Sequence, residues 1–301
     1  MPRLNPEVRW EYLFPDELEQ RFADCPVAWL PYGLCEPHGP HNAVGLDGLK
    51  AHAVCVRAAQ TGGGIVAPLD MWHIHEVGGY ALWAARMVGE SRPWLTAMPP
   101  WQHLKHVAYH LRAVAAMGFE AAILLTGHYG PNWQDLKTLV GLLQPHFATR
   151  FYALPDFECN QPGYDGAGGD HAGRVETSLL WALEPDCVDI SRLPAHGDQS
   201  GAPWFAMGAD AHRAHRRIGE RMVDDEVRWL LAKAAELRAD YGHRQPTVVS
   251  FDGLEALWHD LVEPALPDFL TMQTSWTGGD LPAGSRWQTN WHAAPRVGRA
   301  K

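Results

Sequence analysis

A short run, Glu36-Pro37-His38-Gly39-Pro40-His41, followed by Asp47, brings two carboxylates and two imidazoles into one stretch of the chain. It follows Val27-Ala28-Trp29-Leu30-Pro31, an apolar segment of the buried-strand type. Residues two apart in an extended segment share a side, so Glu36 and His38 point the same way. The turn-prone residues Gly39, Pro40 and Gly45 then return Asp47 toward them. Two carboxylates and an imidazole aimed at one point suit a borderline divalent ion such as Zn²⁺ or Mn²⁺. Taken alone, the run also reads as a polar loop at a strand end whose histidines bond backbone.

Two further segments carry the same residue types. Ala121-Ala122-Ile123-Leu124-Leu125 reads as a buried strand and ends in Thr126-Gly127-His128-Tyr129-Gly130-Pro131-Asn132. His128 thus sits just past a strand's carboxyl end, where open α/β sheets place their chemistry. Gly168-Gly169-Asp170-His171-Ala172-Gly173-Arg174-Val175-Glu176-Thr177-Ser178 is a glycine-rich loop running into a helix-like apolar stretch, Leu179 to Leu183. An isolated Glu at the position of Glu176 would serve the helix dipole, and an isolated His would cap or face solvent.

Together, Glu36-x-His38-Gly39-x-His41 with Asp47, Gly127-His128-Tyr129-x-x-Asn132, and His171-Ala172-Gly173-x-x-Glu176-Thr177-Ser178 resemble the creatininase (creatinine amidohydrolase) family, in the family's order, over residues 25–240. The resemblance implies a metal-dependent hydrolase of cyclic or linear amides that assembles as a homohexamer. Glu36, Asp47 and His128 would hold one ion, and Asp47 would bridge to a second that is also held by His38. In creatininase proper the second ion's remaining carboxylate lies two residues after the His of the Gly-His-Tyr motif. Here that position is Gly130, so Glu176 is the expected substitute, which puts creatinine in doubt as the substrate but not the metal chemistry. His171 matches the family's proton-shuttling His, and Tyr129 matches a residue near the substrate.

The expected chemistry explains these types. Two cations sharing a water lower its pKa from about 16 toward about 7, and that water attacks an amide carbonyl. The departing nitrogen needs a proton, which a His delivers near neutral pH. His171 is the candidate, with Asp170 as an orienting partner or else a turn residue. Zn, Mn and Fe all suit the mixed ligand set, with two ions expected per subunit. The principal function expected is therefore hydrolysis of a small cyclic amide or related C–N bond. The alternatives are a formamide- or peptide-processing hydrolase, a metal-dependent lyase or isomerase, or a structural role.

The elements that must position these groups alternate. Asp47 to Gln60 reads as a helix and Ile65 to Leu69 as a strand. Gln102 to Met117 and Trp133 to Leu143 have helical spacing, Phe151 to Leu154 reads as a strand, and Arg213 to Tyr241 as one long helix or two. Such repeats predict an α/β fold: a mainly parallel central sheet flanked by helices on both faces. Residues 1–242 are expected to form the hydrolase domain, and 243–301 an irregular Trp-rich C-terminal extension (Trp258, Trp276, Trp287, Trp291) packing on its own or a neighbouring subunit. The segment from Met71 to Pro100 interrupts the pattern; it lines a pocket, with Trp72 as a substrate-binding candidate, or forms a subunit contact. A third metal site at His73 and His75 is disfavoured, since paired histidines without a carboxylate cluster seldom close one. His103, His106 and His110 recur at helical spacing and mark a partly exposed face.

Composition bounds the partners. The net charge of −10 and the lack of a basic patch beyond Arg213 to Arg217 disfavour nucleic acid. Five cysteines without a CxxC pair suggest no disulfide framework, and Cys35 reads as packing on the face opposite Glu36. No apolar stretch reaches membrane length and no leader pattern is evident, so a cytoplasmic protein acting on a small molecule is expected.

Overall fold

Four parallel strands form the central sheet: β1 (Val27–Tyr32), β2 (Ile65–Val66), β3 (Ala121–Thr126) and β4 (Arg150–Pro155), in the order β2-β1-β3-β4. The computed structural model describes residues 7–75, 79–90, 92–130, 132–160, 169–195, 206–241, 248–272 and 281–287; Pro131, Gly168, Trp276 and Trp291 lie outside them. The helices are α1 (Pro15–Asp24), α2 (Leu46–Gly62), α3 (Gly79–Val88), α4 (Pro100–Ala116), α5 (Asn132–Leu143), α6 (Arg174–Leu183), α7 (Arg216–Tyr241) and α8 (Phe251–Leu257). The expected parallel sheet with helices on both faces is thus observed, and the long C-terminal pattern is one helix, α7.

Strand alternation divides the core in two. Ala28, Leu30, Tyr32, Ala122, Leu124, Phe151 and Ala153 face α4, α5 and α8. Val27, Trp29, Ala121, Ile123, Leu125 and Leu154 face α2, α6 and α7. Each strand is therefore apolar on both sides, which is why the strands read as continuous apolar runs rather than alternating ones. The strand expected at Ile65–Leu69 pairs regularly only at Ile65 and Val66. Its continuation still follows β1, with Ala67 N donating to Trp29 O and Asp70 N to Pro31 O, while Pro68 has no N–H to give.

The three histidines of α4 differ sharply in burial. His103 is fully buried, whereas the side chain of His106 is 48% exposed. His103 meets Tyr32 edge-on and His110, two turns further on, stacks on the same ring, while His106 between them turns toward solvent. The C-terminal extension is built of short helical pieces between residues 251 and 272, whose Leu254, Trp258, Val262, Leu266 and Phe269 join the core shared with α4 and α5 of the same chain. Asp135 of α5 fastens this segment by accepting from Leu270 N and Thr271 N, both at 2.8 Å. Trp287 is buried against α3, and its indole donates to Gly89 O. No helix among the described residues is long and apolar enough to cross a membrane.

From β1 the chain moves to β2 on one side, then returns to place β3 on the other. The crevice at such a reversal, outside the carboxyl ends of the strands, is where open α/β sheets bind ligands. Here the start of α2 fills it closely. A methyl added at Gly127, after β3, would stand 2.0 Å from the Asp47 carbonyl oxygen, and one at Gly33, after β1, 2.2 Å from Gly48 N. Gly127→Ala is expected to lower stability to denaturant by about 1–3 kcal/mol through overpacking. Gly141→Ala in α5, where a methyl meets nothing within 4 Å, is expected to be neutral or stabilising by about 0.5–1 kcal/mol.

Candidate metal centre

Loops and helix starts converge on that crevice. Glu36 and His38 lie after β1, His128 after β3, Asp47 in the first turn of α2 and Glu176 in the first turn of α6. All five are buried. Their donor atoms form two trios, Glu36–Asp47–His128 and His38–Asp47–Glu176, each with its atoms within 4.8 Å of one another. Asp47 belongs to both, through different oxygens. Its Oδ1 lies 3.1 Å from His38 Nε2 and its Oδ2 3.0 Å from His128 Nδ1. His128 Nδ1 is also 2.9 Å from Glu36 Oε1, and His38 Nε2 is 3.7 Å from Glu176 Oε2. The opposite nitrogen of His38, Nδ1, donates to the Glu36 carbonyl at 3.1 Å and so turns Nε2 toward the carboxylates.

Backbone geometry aims Glu176. Asp170 accepts from Val175 N at 2.7 Å and Glu176 N at 3.1 Å, satisfying donors that the start of α6 would otherwise leave open. Ala172 has a positive φ of 48°, a left-handed conformation that costs a side-chain-bearing residue about 1–2 kcal/mol. It directs its N–H to Glu176 Oε2 at 2.8 Å.

Electrostatics in the cluster are dominated by carboxylates. Burial alone would raise the Glu36 carboxyl, but His128, His171 and His75 outweigh it and hold it well below the usual range. Asp47 is likewise lowered by His38 and His128 against the effect of burial. Burial opposes charge on His38 too, yet Asp47, Glu36 and Glu176 push it up to about 9. A cluster that holds a buried imidazole protonated at neutral pH draws positive charge. Carboxylate and imidazole donors fit a divalent ion of the Zn²⁺ or Mn²⁺ type.

A buried lysine, which the sequence reading did not single out, supports the cluster from behind. Lys50 Nζ, fully enclosed, donates to Glu176 Oε1 at 2.6 Å and to Tyr129 Oη at 2.6 Å, and lies 2.9 Å from Asp156 Oδ2. Burial works against its charge, but Asp156 and Glu176 keep its pKa above the ordinary lysine value. Tyr129 Oη completes the network by donating to Asp156 Oδ1 at 2.5 Å. The signals were present in the chain: Lys50 is one turn beyond Asp47 on an otherwise apolar stripe, and Asp156 directly follows β4.

The remaining candidates fall at different distances from this cluster. His171 stacks on His38, ring centroids 4.4 Å apart, and its Nε2 donates to Pro37 O at 3.0 Å. Asp170 accepts an α6 amide at each oxygen, the geometry of a turn and cap residue. Tyr129 turns its hydroxyl to Lys50 and Asp156. Trp72 is 55% exposed; its N–H goes to Asp70 and its carbonyl accepts from His103 Nδ1, and no contact described ties its indole to the cluster. His75, set aside with His73, does reach the cluster, with Nε2 3.3 Å from Glu36 Oε2. His41 instead bonds Thr177 Oγ1. Gly130, with φ of 75°, supplies no side chain.

The Lys50 network carries a direct test. Lys50→Met strands two buried carboxylates and is expected to lower stability by about 3–5 kcal/mol in denaturant unfolding. Adding Asp156→Asn to it removes one stranded charge and is expected to recover part of the loss; a strictly additive double variant would contradict the ion pair.

The family model for creatinine amidohydrolase (Creatininase) matches residues 11–234. A creatinine amidohydrolase from Pseudomonas putida is 27% identical over 227 residues, covering 69% of this chain and 82% of that protein. A crystal structure of creatinine amidohydrolase (creatininase) is similar with a TM-score of 0.64 and 26% identity, over 77% of this chain and 98% of that one. A zinc–zinc form of a creatininase variant is similar with a TM-score of 0.61 and 26% identity, over 76% and 98%. The chain belongs to the creatininase family and is a metal-dependent hydrolase of non-peptide C–N bonds.

Proposed function

We propose that this protein hydrolyses a small cyclic amide or a closely related C–N bond at a two-ion centre. The observation that carries this reading is the pair of donor trios sharing Asp47. Glu36, Asp47 and His128 would hold one ion and His38, Asp47 and Glu176 the other. Bound there, divalent ions would acidify a water and polarise the amide carbonyl. Creatinine, the substrate named for the Pseudomonas putida relative, is the first compound to test. Gly130 in place of a carboxylate favours a different cyclic amide.

The chain's own groups supply the proton chemistry. His171 gives its Nε2–H to Pro37, which leaves Nδ1 as the basic nitrogen. Burial and the neighbouring His38 lower its pKa, which favours the neutral imidazole. It would take that proton from the attacking water and return it to the departing nitrogen. Trp83 meets the His171 ring edge-on at 5.4 Å and helps hold its plane. Lys50 fixes one oxygen of Glu176 and the Ala172 amide the other, so this carboxylate is preorganised rather than free to rotate. Homohexameric assembly and a hydrolase domain ending near residue 242 belong to the same reading and rest on the family resemblance; a cytoplasmic setting is part of that reading too.

Metal content measured on wild type and Glu176→Ala tests the centre. The variant is expected to retain about one ion fewer per chain. His171→Ala should keep the full ion content while lowering kcat on an accepted substrate by about 10²–10⁴. Chelation should abolish turnover. Failure of wild type to retain any ion at this centre, under any loading condition, would defeat the proposal.

A further inference from the structure

A second cluster of ligating side chains stands on the far side of the ring wall behind His128. His106 and His110 are one turn apart on α4 and so share a face, and Asp70 approaches them from the segment that follows β2. Donor atoms of all three lie within 4.8 Å of one another. Asp70 Oδ2 is buried and has no hydrogen-bond partner among the described residues, while His106 Nε2 lies 3.1 Å from it. The two other polar ends are already oriented. Asp70 Oδ1 accepts from Trp72 N at 2.9 Å, and His110 Nδ1 is bonded to Tyr32 Oη at 2.8 Å, which leaves His110 Nε2 for the cluster. Metal-ligating histidines are commonly fixed in this manner, through a hydrogen bond at the opposite ring nitrogen.

We propose that Asp70, His106 and His110 form an additional divalent-metal site, distinct from the Asp47-centred cluster and suited to zinc or a similar borderline ion. Two imidazoles on one helix face with a carboxylate from a neighbouring segment supply three of the four ligands that zinc takes. The fourth position falls to water or to a small ligand. Asp70 and His110 also line a cavity of about 470 Å³ whose other walls include Trp10, Leu30, Tyr32 and Met117. A small molecule with one anionic or nitrogen donor and an apolar body fits that combination. His106 is half exposed, so an ion can enter without opening the fold.

The two sites are physically separate. Tyr32, His73 and His103 stand between them, with Tyr32 stacked on His110 at 5.9 Å and His73 edge-on to His128 at 5.5 Å. Occupancy of one therefore does not require a ligand from the other, although the ring stack provides a packed route between them.

The experiment is equilibrium dialysis of the stripped full-length protein against excess Zn²⁺, with ions counted per chain. Wild type is compared with His106→Gln, with Asp70→Asn, and with His106→Gln/His110→Gln. Each variant is expected to hold about one ion fewer than wild type, and His106→Gln and Asp70→Asn to keep the same thermal midpoint in chelator and unchanged turnover. His106→Gln, at a half-exposed position, keeps the test valid even if the double variant folds poorly. Equal ion counts in wild type and folded His106→Gln and Asp70→Asn would overturn the proposal. The reading of the Asp47-centred cluster fails separately. If that cluster held nothing, wild type would still bind about one ion and His106→Gln about none.

Discussion

Three carboxylates, Glu36, Asp47 and Glu176, are buried together at the reversal point of the sheet, and their mutual repulsion is the constraint that the surrounding structure answers. Charges of one sign cannot be buried at this spacing without opposite charge or a dense set of donors. The protein supplies both. In the ion-free centre Asp47, Glu36 and Glu176 push the pKa of His38 up to about 9, Lys50 takes one oxygen of Glu176, and the amide of Ala172 takes the other. Much of the architecture that is hard to explain as packing, including a fully enclosed lysine and a left-handed alanine, makes sense as support for this one concentration of negative charge.

The scaffold meets that demand with short connections from a minimal sheet. Two central strands deliver Glu36, His38 and His128 within a few residues of their ends, and two helix starts deliver Asp47 and Glu176. A helix start favours carboxylates through its partial positive charge, so both acids stand where the backbone itself helps to carry them. The lysine and Asp156 then form an outer layer that fixes the orientation of the inner one.

What the sequence revealed follows from how local each feature is. Glu36, His38 and Asp47 share one loop and helix start, and His128 and Glu176 each stand beside a strand end or helix start, so residue type and local pattern sufficed to mark them. Apolar runs at β1 and β3 likewise announced a sheet buried on both faces. Lys50 and Asp156 escaped because their roles depend on a meeting between α2, α6 and the end of β4, and a lysine on a helix ordinarily reads as solvated. Helical spacing marks the histidines of α4 as a partly exposed face, but spacing alone does not tell which way a helix is rolled against its sheet, so the full burial of His103 is visible only in the tertiary structure. Tyr129 and Asp170 were noticed for their motifs, yet what each hydroxyl or carboxylate bonds is settled only by tertiary contact.

The tight seating of α2 has a consequence for how the protein can lose or gain this centre. Asp47 serves both donor trios, Lys50 anchors the third carboxylate one turn further on, and the backbone between them abuts the ends of β1 and β3 with no room for an added methyl. A slide or roll of α2 would unmake both trios and the lysine network in a single movement. The two trios are thus tied to one rigid placement of α2, and side chains such as Glu176 can be exchanged around a helix that stays where it is.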